Sequence, residues 1–288
     1  MHISFKTHFI VVLLLFSCKN DGRHFNNSNL NTKEFTKIEL INTKGSSIKT
    51  RFNPPYSFTR VNPEANSFAN YLQNFPLKPH NSKVHLFNGE LKYIQNIHSA
   101  VFDIDVGNRD LQQCADAIMR LRSEFLYEQK QFDKISFNFT NGFKADYATW
   151  RSGFRIKVGR KKVSWLKTST STNSYETFRH YLMMVFNYAG TLSLEKELNN
   201  VAIEQLQIGD IFIQGGSPGH AIIVVDVAKN KKGEKVFLLA QSYMPAQDIH
   251  ILKNLNNSGM GPWYSTTNLE SLNTPEWTFT KNDLKRFD

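Results

Sequence analysis

The stretch IGDIFIQGGSPGHAIIVVD, residues 208–226, decides the fold. Residues 221–225 are apolar at every position, and so are residues 236–240 in the KVFLLAQS segment that follows. A short run without alternation reads as a strand covered on both faces. Strands are therefore expected at 210–214, 221–228 and 235–242. The first two are separated by Gly215-Gly216-Ser217-Pro218-Gly219, the last two by a turn centred on Lys231-Lys232.

Upstream the pattern is more helical. Asp110 as N-cap with Gln113 three residues later reads as a capping box. Leu111, Cys114, Ala115, Ile118, Leu121, Phe125 and Leu126 make an apolar stripe at helical spacing. A second helix is expected over 175–188, closed by Gly190, and a short third over 193–198. Residues 67–75 form a short amphipathic helix that stops before Pro76, and Pro54-Pro55 forbid helix around 52–56. Strands are expected at 38–40, 84–86, 134–139, 155–158, 162–166 and 277–280, with Arg160-Lys161-Lys162 in a solvated hairpin turn. The alternation at 100–106 suggests a strand with Asp103 and Asp105 on one face. Helices followed by antiparallel strands give an α+β class, and no internal repeat is present.

The N-terminus reads as an export signal. Lys6 precedes the apolar run FIVVLLLF at 9–16, which ends at Ser17-Cys18. The run is far short of the roughly 20 apolar residues that span a bilayer. Leu15-Phe16-Ser17-Cys18 resembles a bacterial lipobox, so Cys18 is expected to be lipidated after removal of 1–18, with an ordinary signal peptide cut nearby as the alternative. Residues 19–33, rich in Asn and Ser, read as a flexible tether. Residues 34–288 are long enough for one sizeable α+β domain, divided here into an extension over 34–99 and a core over 100–288. The net charge of +10 favours anionic envelope polymers, lipid headgroups or acidic peptides. Dispersed basic residues and export argue against nucleic acid.

There are two cysteines, and with Cys18 at the cut the mature chain has one thiol, Cys114. An unpaired cysteine in an exported protein is either an inert core residue or a reactive one. The start of a helix favours a thiolate, Arg109 would add positive charge, and free N–H groups there can hold an oxyanion. His220 follows the glycine loop at the mouth of its strand. A hairpin turning at Lys231-Lys232 sets Gln241 or Ser242 opposite it, in reach of one imidazole nitrogen. Nucleophile, base and orienting group are thus all present, each with a structural reading of its own. Metal readings are weaker. Among Asp103, Asp105, Asp110 and Asp116, Asp110 is better explained as a cap and Asp116 as a helix face. His80, His85 and His98 lack ligand spacing, and Asp248 with His250 reads as a surface pair.

Two resemblances follow from these residues. RDLQQCADAIMRLRSEFLY, FNFTNGF, YAGTLSLEKEL, IGDIFIQGGSPGHAIIVVD, LLAQSYMPAQDIHIL and TPEW resemble a family of Bacteroidota lipoproteins known only as domain of unknown function 4846, which implies no activity. More distantly, IGDIFIQGGSPGHAIIVVD and FLLAQS resemble the Gly-Asp, Gly-His and third-residue strands of NlpC/P60-type cysteine peptidases. That likeness covers about a third of the chain. It implies a papain-like core with Cys114 as nucleophile, His220 as base and Gln241 as third residue. The chain departs from the pattern in having Gln113 before the cysteine, no Ser after it, an inserted helix, and Gln rather than the commoner His, Asn or Asp. The expected function is a cysteine hydrolase or acyltransferase on amide bonds, with cell-wall peptides as a candidate substrate class, lipid-anchored in the envelope and needing no metal or organic cofactor. The alternative is a non-catalytic envelope lipoprotein that binds a glycan or peptide, with Trp150, Trp165, Trp263 and Tyr264 as stacking residues.

Overall fold

The two apolar runs pair as an antiparallel hairpin in the middle of the main sheet. The computed structural model describes residues 39–288, so the signal segment, the tether and Cys18 lie outside the described residues. In chain order the helices are α1 (Ile48–Arg51), α2 (Phe68–Gln73), α3 (Cys114–Glu128), α4 (Tyr147–Arg151), α5 (Tyr175–Tyr188) and α6 (Thr191–Glu197). The first strands are β1 (Thr59–Arg60), β2 (His98–Val101), β3 (Ser136–Asn138), β4 (Lys144–Asp146), β5 (Phe154–Val158), β6 (Val163–Lys167) and β7 (Asn199–Asn200). They are followed by β8 (Ile211–Gln214), β9 (His220–Lys229), β10 (Lys235–Gln241), β11 (His250–Leu252), β12 (Tyr264–Ser265), β13 (Ser271–Asn273), β14 (Thr278–Thr280) and β15 (Leu284–Arg286).

The main sheet runs β2-β11-β10-β9-β8-β15-β7, with β1 added along β9 and β12 along β10. Its pairings are antiparallel, and helices α2 and α3 lie against β9. The class is therefore α+β. β9 is buried from His220 to Ala228, which is why its sequence shows no alternation. Each fully buried Ile, Leu or Phe of the hairpin contributes roughly 1.5–3 kcal/mol.

Buried charges tie segments distant in the chain to this sheet. Asp226 on β9 accepts from Arg60 Nε at 2.9 Å and Gln73 Nε2 at 2.7 Å. Asp210 accepts from Arg286 at 2.6 and 2.9 Å. Burial pushes both carboxyls up, and the arginines oppose the shift.

Several local expectations are corrected. α3 opens at Cys114 rather than Asp110, because Gln113 is extended and its N–H donates to Asp116 Oδ2 at 3.1 Å. Asp116 is thus a buried capping residue and not a solvated helix face. Asp110 accepts from Gln113 Nε2 and from the Ala246 N–H, anchoring the 244–246 loop to the helix start. The strand expected over 100–106 stops at Val101, beyond which Asp105 is drawn to Arg120 and Arg179. Residues 84–86 form only isolated bridges, and of the strand expected at 38–40 the described residues 39 and 40 are in no strand, while Ile41 bridges to Phe52. Gly190 opens α6 rather than closing α5, its N–H donating to Ser193 Oγ. Arg160, Lys161 and Lys162 do form the exposed turn between β5 and β6.

Candidate active site

The glycine loop before His220 is dictated by space. A Cβ on Gly219 would lie 2.5 Å from Thr191 Oγ1, 2.7 Å from Gly216 O and 2.8 Å from Gln214 O. No side chain fits there unless the backbone that carries His220 moves. Gly219→Ala is expected to destabilise the fold by about 1–3 kcal/mol, read as a lower urea midpoint; an unchanged midpoint would show that the loop can yield.

His220 begins β9 and is 1% exposed. The hairpin register runs Lys235–Lys229 to Leu238–Asp226, then shifts at a bulge to Leu239–Val224 and Ala240–Ile223. Continued past Ala240, it sets Tyr243 opposite His220 and leaves Gln241 two residues away on the same face. This corrects the expected facing of Gln241 or Ser242: the observed pairing lies one to two residues beyond the register expected. The Tyr243 ring lies 4.8 Å from the imidazole, and Trp277 and Phe279 close its other sides at 5.4 and 5.9 Å. Gln241 still reaches His220: its Oε1 is 3.0 Å from Nε2. Ser242 points elsewhere, donating to Gln112 O and Gln247 O.

Behind Gln241 lies a polar chain buried in the core. Its Nε2 donates to Glu276 Oε2 at 2.6 Å and lies 3.4 Å from His250 Nε2. Glu276 Oε1 accepts from Lys92 Nζ at 2.7 Å. His250 Nδ1 lies 2.9 Å from the carbonyl of Asp248. Asp248 and His250 are 3% and 0% exposed, so they are core residues and not a surface pair. Asp248 instead receives Lys78 Nζ and the His85 N–H.

Cys114 is the first residue of α3, and it lines a cleft of about 240 Å³ with Asp116, Thr191, Gly219 and Met244. It is a free thiol, 7% exposed. Burial first, and Asp116 second, push its pKa up to about 11; the N–H groups of Ala115, Ala221 and Cys114 itself oppose that shift. Since Ala221 follows His220, the sulfur lies beside the start of β9. Burial raises the Asp116 carboxyl well above the usual range, and Asp116 Oδ1 has no hydrogen-bond partner among the described residues. Where Asp116 holds its proton, its effect on the thiol is lifted. Arg109 is exposed and lines a neighbouring cleft of about 290 Å³ with Arg179 and His180, not the thiol's own.

The two buried imidazoles make stability depend on pH. Burial lowers His220 from 6.5 to about 4 and His250 from 6.5 to about 3, opposed by Gln241 and the Asp248 carbonyl respectively. Below pH 6.5 the unfolded chain takes up protons that the folded chain refuses. Stability is therefore full above pH 6.5 and falls as the pH drops towards 4, each ring adding a slope of up to about 1.4 kcal/mol per pH unit. Urea unfolding at pH 7.5, 6 and 5 checks this, and a flat midpoint would contradict it.

The other candidates are placed as follows. Asp105 is gripped by Arg179 at 2.8 Å through both oxygens and held down to about 2, while Asp103 is exposed. His98 bonds Ser82 O at 3.0 Å and His85 lies 3.6 Å from Asp248. No group of three His, Cys, Asp or Glu side chains among the described residues converges to hold a metal ion. Trp150, Trp263 and Tyr264 are buried at 4%, 0% and 3% and so are core residues rather than stacking platforms; Trp165 is half-buried beside Phe143. A separate cleft of about 660 Å³ is lined by Tyr71, Asp105, Arg120, Glu124 and Tyr175 among others, and Cys114, His220 and Gln241 do not line it. Chemistry, not size, singles out the Cys114 cleft and the His220–Gln241 contact beside it; no hydrogen bond joins Cys114 to His220 among the described residues.

Residues 48–286 match the family described as Domain of unknown function (4846). The chain belongs to that family. No curated protein and no solved structure matches it. No helix among the described residues is long and apolar enough to cross a membrane. Glu276, Lys92 and His250 escaped the sequence reading as partners of the site. Glu276 sits in the TPEW stretch, about 35 residues beyond Gln241, with no spacing to join them.

Proposed function

We propose that this chain is an exported lipoprotein whose α+β domain is a papain-like, NlpC/P60-related cysteine hydrolase or acyltransferase on amide bonds, with cell-wall peptides as its substrate class. The observation that carries the reading is the buried 3.0 Å contact between His220 Nε2 and Gln241 Oε1, on the strand against which the cysteine-bearing end of α3 rests. The lipid anchor at Cys18 and the envelope location rest on residues outside those described.

At rest the pair is a neutral thiol and a neutral imidazole, since burial raises one and lowers the other. Attack is then base-assisted, as for a serine nucleophile, rather than by a preformed ion pair. The sulfur bonds to the carbonyl carbon as its proton passes to His220. N–H groups at the start of α3 hold the oxyanion. The C–N bond breaks as His220 protonates the leaving amine, and water or an acceptor nucleophile releases the acyl group from the sulfur.

The test is turnover of a panel of muropeptides and simple acyl amides, read as newly formed amine. Wild type is expected to cleave at least one, and His220→Ala to lose about 10³-fold or more. A folded wild type that cleaves none overturns the reading. The elevated thiol pKa favours a second reading, in which the domain binds envelope polymer without cleaving it. In that case Cys114 reacts with alkylating agents only once the protein is unfolded.

A further inference from the structure

We propose that Glu276 and His250 are positioning residues that fix the amide of Gln241 and thereby set which nitrogen of His220 carries the proton. The argument starts at a backbone carbonyl. Asp248 O can only accept, so the 2.9 Å contact requires that His250 Nδ1 carry hydrogen. His250 is neutral, because burial lowers its pKa to about 3, so its Nε2 is a bare acceptor. The Glu276 carboxylate, engaged by Lys92 Nζ at 2.7 Å, is an acceptor too.

Gln241 therefore meets two acceptors on one side, Glu276 Oε2 at 2.6 Å and His250 Nε2 at 3.4 Å. An amide turned the other way would set its oxygen against both. The NH₂ must face them, and the carbonyl oxygen must face His220. At 3.0 Å from that oxygen, His220 Nε2 has to be the donor. The proton is on Nε2, and Nδ1 keeps its lone pair and has no hydrogen-bond partner among the described residues. Five groups on separate strands and loops thus determine one tautomer: the Asp248 carbonyl, His250, Glu276, Lys92 and Gln241. Only the last step, that Nδ1 is the nitrogen that takes the Cys114 proton, rests on the catalytic reading above.

The experiment is ¹⁵N NMR of the histidine rings at pH 7.5 in the full chain. Wild type and the paired replacement Lys92→Met with Glu276→Leu are compared; the pair removes both charges together. Wild-type His220 is expected as the Nε2–H tautomer and His250 as Nδ1–H. In the pair, Gln241 loses its stronger acceptor, the amide can turn, and Nδ1–H signal appears at His220. Glu276→Gln, with one acceptor oxygen for two donors, gives a smaller shift in the same direction and serves if the pair does not fold. The wrong tautomer costs up to about 10⁴-fold in rate, so turnover falls in proportion to the Nε2–H population that remains, about twofold where half of the His220 rings have switched. Nδ1–H at His220 in wild type, or an unchanged tautomer in the folded variants, overturns the proposal. Should the tautomers behave as stated while Cys114→Ala leaves turnover intact, the catalytic reading fails and the amide lock stands.

Discussion

Cys114→Ala is expected to abolish amide cleavage, by about 10⁴-fold or more, while the protein stays folded. The two halves of that result have separate causes. In the proposed reading the sulfur forms the acyl intermediate; the Thr191 and Ser217 hydroxyls that also line the 240 Å³ cleft are weaker nucleophiles, and Thr191 Oγ1 is engaged with Gly216. The polar groups that act on the sulfur are the Asp116 carboxyl and the N–H groups of Ala115, Ala221 and Cys114; the N–H groups donate and do not attack. Loss of one sulfur atom from a small side chain that is 7% exposed leaves only a small void, so unfolding should shift by no more than about 1 kcal/mol. Turnover and urea unfolding on the same samples separate the effects. Full activity in the variant would remove Cys114 from the chemistry, and a large loss of stability would make the activity result uninformative about catalysis.

Glu276→Ala is expected to destabilise the fold by about 3–5 kcal/mol. The reason is what it leaves behind. The Lys92 side chain is 8% exposed and loses its carboxylate partner, so an ammonium ion remains in the core. The Gln241 N–H that donated to Glu276 loses its acceptor as well. Removing both charges, by Lys92→Met with Glu276→Leu, should be close to neutral by comparison, because a buried ion pair stabilises little over well-packed apolar residues. Urea unfolding of the single and paired variants gives the comparison. If the single variant costs less than about 1 kcal/mol, Lys92 reaches water and the pair is not a buried one.

Much of the fold was readable where burial leaves a periodic mark. The apolar runs at 221–225 and 236–240 are the central hairpin because both faces of β9 and β10 are covered. The 175–188 helix has the limits its amphipathic pattern implies. What failed was set by long-range polar contacts. Asp110 looks like a cap because it precedes Gln113 by three residues, yet its carboxylate is claimed by the Ala246 N–H, far along the chain. The strand at 100–106 is cut short by arginines from α3 and α5 that take Asp105.

The site was legible as far as its inventory. Gln241 was the right partner for His220, although not by the register expected; the hairpin closes at the Lys229–Lys235 pair, a choice with no sequence signature. Asp248 and His250 looked like surface residues because polar residues two apart on a strand usually are. In fact the ring is buried among His98, Gln241 and the Asp248 carbonyl. Glu276 and Lys92 meet only through the fold, from loops 184 residues apart in the chain.

The most direct test of Cys114 as a nucleophile activated by His220 is acyl transfer from a generic donor. Native protein mixed with p-nitrophenyl acetate at pH 7.5, quenched in acid and digested, is analysed by mass spectrometry for acetyl on the Cys114 peptide. The account predicts one acetyl group on Cys114 in the folded wild type, formed about 10²-fold or more slowly in His220→Ala. Acetylation that appears only in urea, at the same rate with and without His220, would contradict it and leave Cys114 a core thiol.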